Sequence, residues 1–143
     1  MKKIFAALII GIVLLGCNNN PKVTSEDPAH DEKPTGIAFN EGQKWIVNEE
    51  MKPYINKSKL LTNSFLQSNS TGYHALAKQL KEQNDQLIQS CTMDGKAHDE
   101  LHKWLHPHMQ LVSQLDKAET AAKANSIVML IKNSFKTFDR YFQ

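Results

Sequence analysis

Potential metal ligands are concentrated in one short stretch of this chain, between Cys91 and His108. The stretch contains one of the two cysteines, one methionine and four of the six histidines. These side chains are Cys91, Met93, His98, His102, His106 and His108. Thiolate, thioether and imidazole groups bind soft and borderline metal ions. The composition of the stretch therefore predicts binding of a transition metal.

Helical spacing distinguishes the four histidines from one another. His98 and His102 are four residues apart, so they are neighbours on one surface of a helix. At 100° per residue, His98 and His108 fall within the apolar face, His102 lies at its edge and His106 points toward solvent. The predicted metal ligands are Cys91, Met93, His98 and His102, with Met51, His106 and His108 as additional candidates.

The N-terminus is typical of an export signal. Lys2 and Lys3 precede an apolar run from Ile4 to Leu15, which is too short to span a bilayer as a helix. The run ends in Leu14-Leu15-Gly16-Cys17, which resembles the lipobox of bacterial lipoproteins. That resemblance implies removal of residues 1–16 and lipidation of Cys17 by two or three acyl chains, which give stable anchoring.

The same resemblance implies a location and a restricted set of partners. The chain is expected in the bacterial cell envelope, with the membrane as one partner and an envelope protein as a candidate second one. Asn18, rather than aspartate, follows the cysteine, which is compatible with sorting to the outer membrane, facing the periplasm.

Removal of the signal changes the charge and the cysteine chemistry of the mature chain. Loss of Lys2 and Lys3 lowers the Lys+Arg count from 17 to 15, equal to the 15 acidic residues. This balance disfavours a nucleic-acid partner, which requires a basic surface. With Cys17 lipidated, Cys91 is the only thiol left, so it is expected to be buried, metal-bound or paired with another chain.

The apolar pattern predicts an all-α domain after a disordered tether. Residues 17–40 are polar and contain Pro21, Pro28 and Pro34, which is typical of a flexible linker. Residues 41–143 contain four segments of helical periodicity joined by short loops, which predicts an antiparallel four-helix bundle. The predicted helices span residues 41–67, 73–90, 97–117 and 119–141. Kinks are expected at Pro53 and Pro107, and Asn84 interrupts the apolar face of the second helix.

Folding the helices back on one another brings several candidate ligands to one end of the bundle. If the second and third helices turn near Met93, Cys91 lies about one helical turn from His98. If the first helix is antiparallel to the second, Met51 and Asn48 lie level with the residues just before Cys91. The predicted site therefore combines sulfur and imidazole ligands, a set that favours copper, with zinc as the second choice.

Three other functions follow from the same residues. A non-catalytic structural or interaction module of the envelope would leave the histidines incidental. A b-type haem would use Met51 or Met93 with His98 or His102, whereas the absence of Cys-x-x-Cys-His excludes covalent attachment. The segment from His98 to His102 is similar to the His-Glu-x-x-His helix of zinc peptidases, but Asp99 occupies the position of the glutamate base. No enzymatic activity is therefore predicted.

Overall fold

The computed structural model describes residues 36–68 and 70–143, which belong to a single compact unit of the chain. The predicted signal peptide, the lipidated Cys17 and the tether up to residue 35 lie outside the described residues. A short 3-10 helix, Glu49–Met51, is followed by four α-helices. These are α1 (Lys52–Gln67), α2 (Tyr73–Gln89), α3 (Gly95–Asp116) and α4 (Ala121–Tyr141).

The four helices form the predicted bundle. Each helix packs against the next one in the chain, and α1 also packs against α4, so the helices form a closed ring of neighbours. The connections are short, which makes successive helices antiparallel. The core extends from Ile37 to Phe142, so the unit contains its own hydrophobic core and can fold alone. Among the described residues, none of the helices is both long and apolar enough to cross a bilayer.

The start of the predicted first helix is wrong. Asn40 and Gln43 exchange two backbone hydrogen bonds around Glu41 and Gly42, both of which have positive φ. This is the geometry of a tight two-residue hairpin turn, which no helix can include. Helix α1 begins only at Lys52, and Pro53 lies in its first turn, where the missing amide hydrogen costs nothing, rather than at a kink.

The segment before α1 is extended and pairs with the C-terminus of the chain. Trp45 donates a backbone hydrogen bond to Tyr141, Val47 donates one to Gln143, and Gln143 donates one back to Trp45. Trp45 and Val47 are buried while Ile46 is 68% exposed, which is the two-residue alternation of a strand. Phe142, directly after α4, is extended and 1% exposed.

Residues 36–40, predicted to belong to the tether, contact the bundle. Ile37 is buried, and the Ala38 amide donates a hydrogen bond of 2.9 Å to Glu100 Oε2. Ala38 also accepts a hydrogen bond from the Trp45 indole.

Candidate metal site on the third helix

Helix α3 presents a row of three histidines. It begins at Gly95, whose φ of +56° allows the sharp entry from the preceding turn, and it continues through Pro107 to Asp116. Residues at every fourth position of a helix lie one above another. His98, His102 and His106 therefore lie along one side of α3, and this row was partly anticipated from their spacing.

The rings in this row are within hydrogen-bond distance of one another. His98 Nε2 lies 2.9 Å from His102 Nε2, and His102 Nδ1 lies 3.1 Å from His106 Nε2. Adjacent rings are close to perpendicular, at 76° and 74°. Each short contact requires one protonated and one bare nitrogen. The row therefore consists of imidazoles whose lone pairs and N–H groups are already directed at each other.

His102, at the centre of the row, is held in the neutral form. Partial burial lowers its pKa, and the positive charges that His98 and His106 can carry lower it further, while Asp99 opposes the shift. A neutral imidazole is the form that binds a metal ion, because protonation removes the lone pair. The neutral ring keeps a lone pair, and a metal ion that binds it would replace a hydrogen bond to a neighbouring imidazole.

The predicted sulfur ligands lie at the turn between α2 and α3. Cys91 and Met93 are half-buried and pack against the hydrophobic core. Asn48 fixes this turn, since its side chain donates to the Ser90 carbonyl at 2.9 Å and accepts from the Thr92 amide at 3.3 Å. The expectation that Asn48 lies level with the residues around Cys91 is confirmed.

The structure brings only part of the predicted ligand set together. Among residues 36–68 and 70–143, no group of three or more His, Cys, Asp or Glu side chains is arranged to hold one metal ion. His98 and His102 face each other, with His106 beyond them. Cys91 does not complete a three-ligand group with this pair, and Met51 is fully buried in the core.

His108 lies inside the bundle, as its helical phase predicts. Its ring is fully buried, stacks on Trp104 with 5.0 Å between ring centroids, and places Nδ1 at 3.0 Å from Ser134 Oγ. Burial lowers the pKa of His108 to about 4. Its Nε2 is buried and has no hydrogen-bond partner among the described residues. His108 is therefore a neutral core side chain on another face of the helix from the histidine row.

Glu100, in the peptidase-like segment, has a structural role. It is 4% exposed and accepts hydrogen bonds from Lys103 Nζ at 2.7 Å and from the Ala38 amide. Burial raises the pKa of its carboxyl, but the hydrogen bonds from Lys103 and Ala38 and the nearby lysine charges outweigh this, so the pKa lies below its usual value. This carboxylate anchors residues 36–38 to α3.

Sequence reasoning missed the partners that are distant along the chain. Ser134 bonds to His108, and its backbone carbonyl accepts from the Trp104 indole at 2.8 Å. Glu100 bonds to Ala38 across 62 positions. Helical periodicity places a residue on a face, but it does not identify which residue of another helix lies opposite, so no signal in the sequence indicated these pairs.

Comparison with known proteins identifies no relative of this chain. No protein family matches this chain, and no curated protein or solved structure is significantly similar to it.

Proposed function

We propose that this chain is a lipid-anchored protein of the bacterial envelope whose bundle binds one transition-metal ion, copper in preference to zinc, at the His98–His102 pair. The observation that carries the proposal is the 2.9 Å separation of the two Nε2 atoms on half-buried side chains of one helix. The lipobox-like segment ending at Cys17 supports the anchor.

The two nitrogens are close enough to bind one metal ion. With metal–nitrogen bonds of about 2.0 Å, adjacent ligands have nitrogens about 2.8 Å apart at right angles and about 3.3 Å apart in a tetrahedron. The observed 2.9 Å is the length of a hydrogen bond between the rings, so a metal ion that displaces its proton could reach either geometry with a small shift of the rings. Copper is preferred because Cu(II) binds nitrogen sites most tightly among the divalent first-row ions.

A two-histidine site leaves several coordination positions open. Structural metal sites are closed by four protein ligands, while sites with open positions exchange ligands. His106 is exposed and contacts the other ring nitrogen of His102, Nδ1, so it offers a second two-histidine pair rather than a third ligand to the first. Sequestration or handover of copper at the membrane surface therefore suits the site better than a permanent structural role.

Copper titration of the bundle tests this proposal. Residues 32–143 should bind one Cu(II), with electron paramagnetic resonance showing coupling to two imidazole nitrogens. His102→Ala should weaken binding by at least about 100-fold, since loss of a ligand exceeds the 10–100-fold cost of losing a supporting partner. His74→Ala, at an exposed histidine on α2, is the matched control and should leave binding unchanged.

Two outcomes of this titration would contradict the proposed ligands. Copper binding that survives in His102→Ala would remove the histidine row from the site. A loss of binding in Cys91→Ser equal to that in His102→Ala would instead support the four-ligand set of sulfur and imidazole.

Copper binding should also weaken as the pH falls, because protons compete with the metal for the imidazole nitrogens.

A further inference from the structure

A groove runs between α2 and α3, on residues that the proposed metal site does not use. It has a volume of about 700 Å³, within the range of pockets that hold small molecules. Ala77, Met109 and Val112 contribute apolar side chains to its walls. On α2 the lining extends from His74 to Asp85, a length of about 16 Å at the rise of a helix. The groove therefore fits an elongated molecule.

Asn84 is a polar side chain without a partner in this groove. It is 4% exposed and lines the groove, and no other described residue hydrogen-bonds to its amide. Among the described residues, His108 Nε2 is the side-chain polar atom that is sealed from solvent and has no hydrogen-bond partner, so the polar atoms of the Asn84 side chain still reach solvent in the groove. Its polar atoms make no bond to a described protein group, so they are free to bond to water or to a ligand in the groove. A polar side chain in an otherwise apolar wall can therefore orient a ligand.

The charges at the rim of the groove are balanced. Lys81 pairs with Asp85 at 2.8 Å, and His74 Nδ1 lies 4.0 Å from Asp116. Lys78 is the remaining charged lining residue, so two lysines accompany two aspartates. Such a rim neither attracts nor repels a strongly charged ligand. An uncharged ligand is the better match to this groove.

We propose that the α2–α3 groove binds an elongated, uncharged apolar molecule whose single polar group both donates a hydrogen bond to and accepts one from Asn84. An asparagine amide has an N–H donor and a carbonyl acceptor side by side. A carboxamide or hydroxyl head group satisfies both, whereas a carboxylate only accepts and an ammonium only donates. The apolar part of the molecule would lie against Ala77, Met109 and Val112.

Three probes that share an eight-carbon chain test the head group. Octanamide, octanoate and octylammonium are titrated into residues 32–143, and NMR signals of the Asn84 side-chain amide and the Val112 methyls are followed. We expect octanamide to bind about tenfold more tightly than octanoate or octylammonium, because each ion would leave one hydrogen bond to Asn84 unmade. Equal affinities for the three probes, or no shift at Asn84 and Val112, would overturn the proposal.

Two variants, each with a matched control, locate the binding. Ser113 is exposed and lines the groove, so Ser113→Trp should block it and abolish octanamide binding, while Gln114→Trp, at the next exposed position, should not. Asn84→Leu should remove the preference for octanamide over the two ions, and Asn56→Leu, on an exposed position of α1, should keep it. Octanamide binding that is unaffected by Ser113→Trp would place the ligand elsewhere and refute the proposal.

Asn84→Leu provides an independent measurement without any ligand. Leucine has a similar volume and no polar atoms, so the substitution replaces an amide that bonds to no described protein group by a side chain that adds apolar contact to the groove wall. We expect the melting temperature to rise by about 5 °C. Residues that are kept for binding are often not the most stable choice at their position, so replacing them can stabilise a protein. A fall in melting temperature would show that Asn84 stabilises the bundle and would contradict a ligand-binding role.

Discussion

Phe142→Ala is expected to lower the free energy of unfolding by about 3–5 kcal/mol, the usual cost of truncating a buried phenylalanine. The side chain is 1% exposed and stacks on Phe138, with ring centroids 5.2 Å apart. Domains of this size are stable by only about 5–15 kcal/mol. Urea denaturation followed by circular dichroism should therefore show a strongly weakened bundle, although the residue is the penultimate one of the chain.

Two changes at residue 143 separate the contribution of the Phe142 side chain from that of the backbone pairing beside it. Gln143→Ala keeps the two backbone hydrogen bonds between residue 143 and the Trp45–Val47 segment, so it should change stability by less than about 0.5 kcal/mol. Deleting residue 143 removes both bonds and should cost more than Gln143→Ala. If Phe142→Ala unfolds at nearly the same urea concentration as the natural chain, the Phe142 side chain contributes little to the core, in contradiction to its burial.

The three later helices could be predicted from the sequence, and the first helix only in part. Apolar residues recur at helical spacing in α2, α3 and α4, and short polar stretches separate them, so local information is sufficient there. The beginning of α1 depends on pairing between Trp45 and the C-terminus, which lies almost a hundred residues away. Tertiary contacts overrode local periodicity at this point, and only the Glu41-Gly42 turn carried a local sign of it.

The candidate site shows the same division between local and distant information. The four-residue spacing of His98 and His102 identified the pair, because helical geometry alone makes such residues neighbours. Whether Cys91 approaches them depends on the path of the α2–α3 turn, which Asn48 holds from another part of the chain. The groove beside Asn84 depends on how two helices pack, so its sequence signal was only a polar residue on an apolar face.

Both proposed sites can be separated experimentally because they use different residues. Copper is proposed at the histidine row of α3, whereas the groove uses α2 together with Met109, Val112 and Ser113. His102→Ala should therefore leave octanamide binding unchanged, and Ser113→Trp should leave copper binding unchanged. Loss of both activities in either variant would indicate unfolding or coupling between the two sites.

Acidification is expected to destabilise the bundle by about 3 kcal/mol through His108 alone. The folded state holds the pKa of this imidazole at about 4, because its charged form is excluded from the core, against an ordinary value of 6.5. Above pH 6.5 the ring is neutral in both states and stability is unaffected. Between pH 6.5 and 4 the unfolded chain binds a proton that the folded chain refuses, so stability falls by about 1.4 kcal/mol per pH unit. Below pH 4 both states bind it and the loss levels off.

The measurement compares urea denaturation of the natural chain and of His108→Phe at pH 7, 6, 5 and 4. Phenylalanine keeps the stacking on Trp104 but cannot bind a proton, so the difference between the two pH profiles isolates this residue. Contributions from His102 and Glu100, whose pKa values are also lowered, occur in both proteins and cancel. Parallel profiles for the natural chain and His108→Phe would show that His108 accepts its proton within the folded bundle, in contradiction to its buried, neutral state.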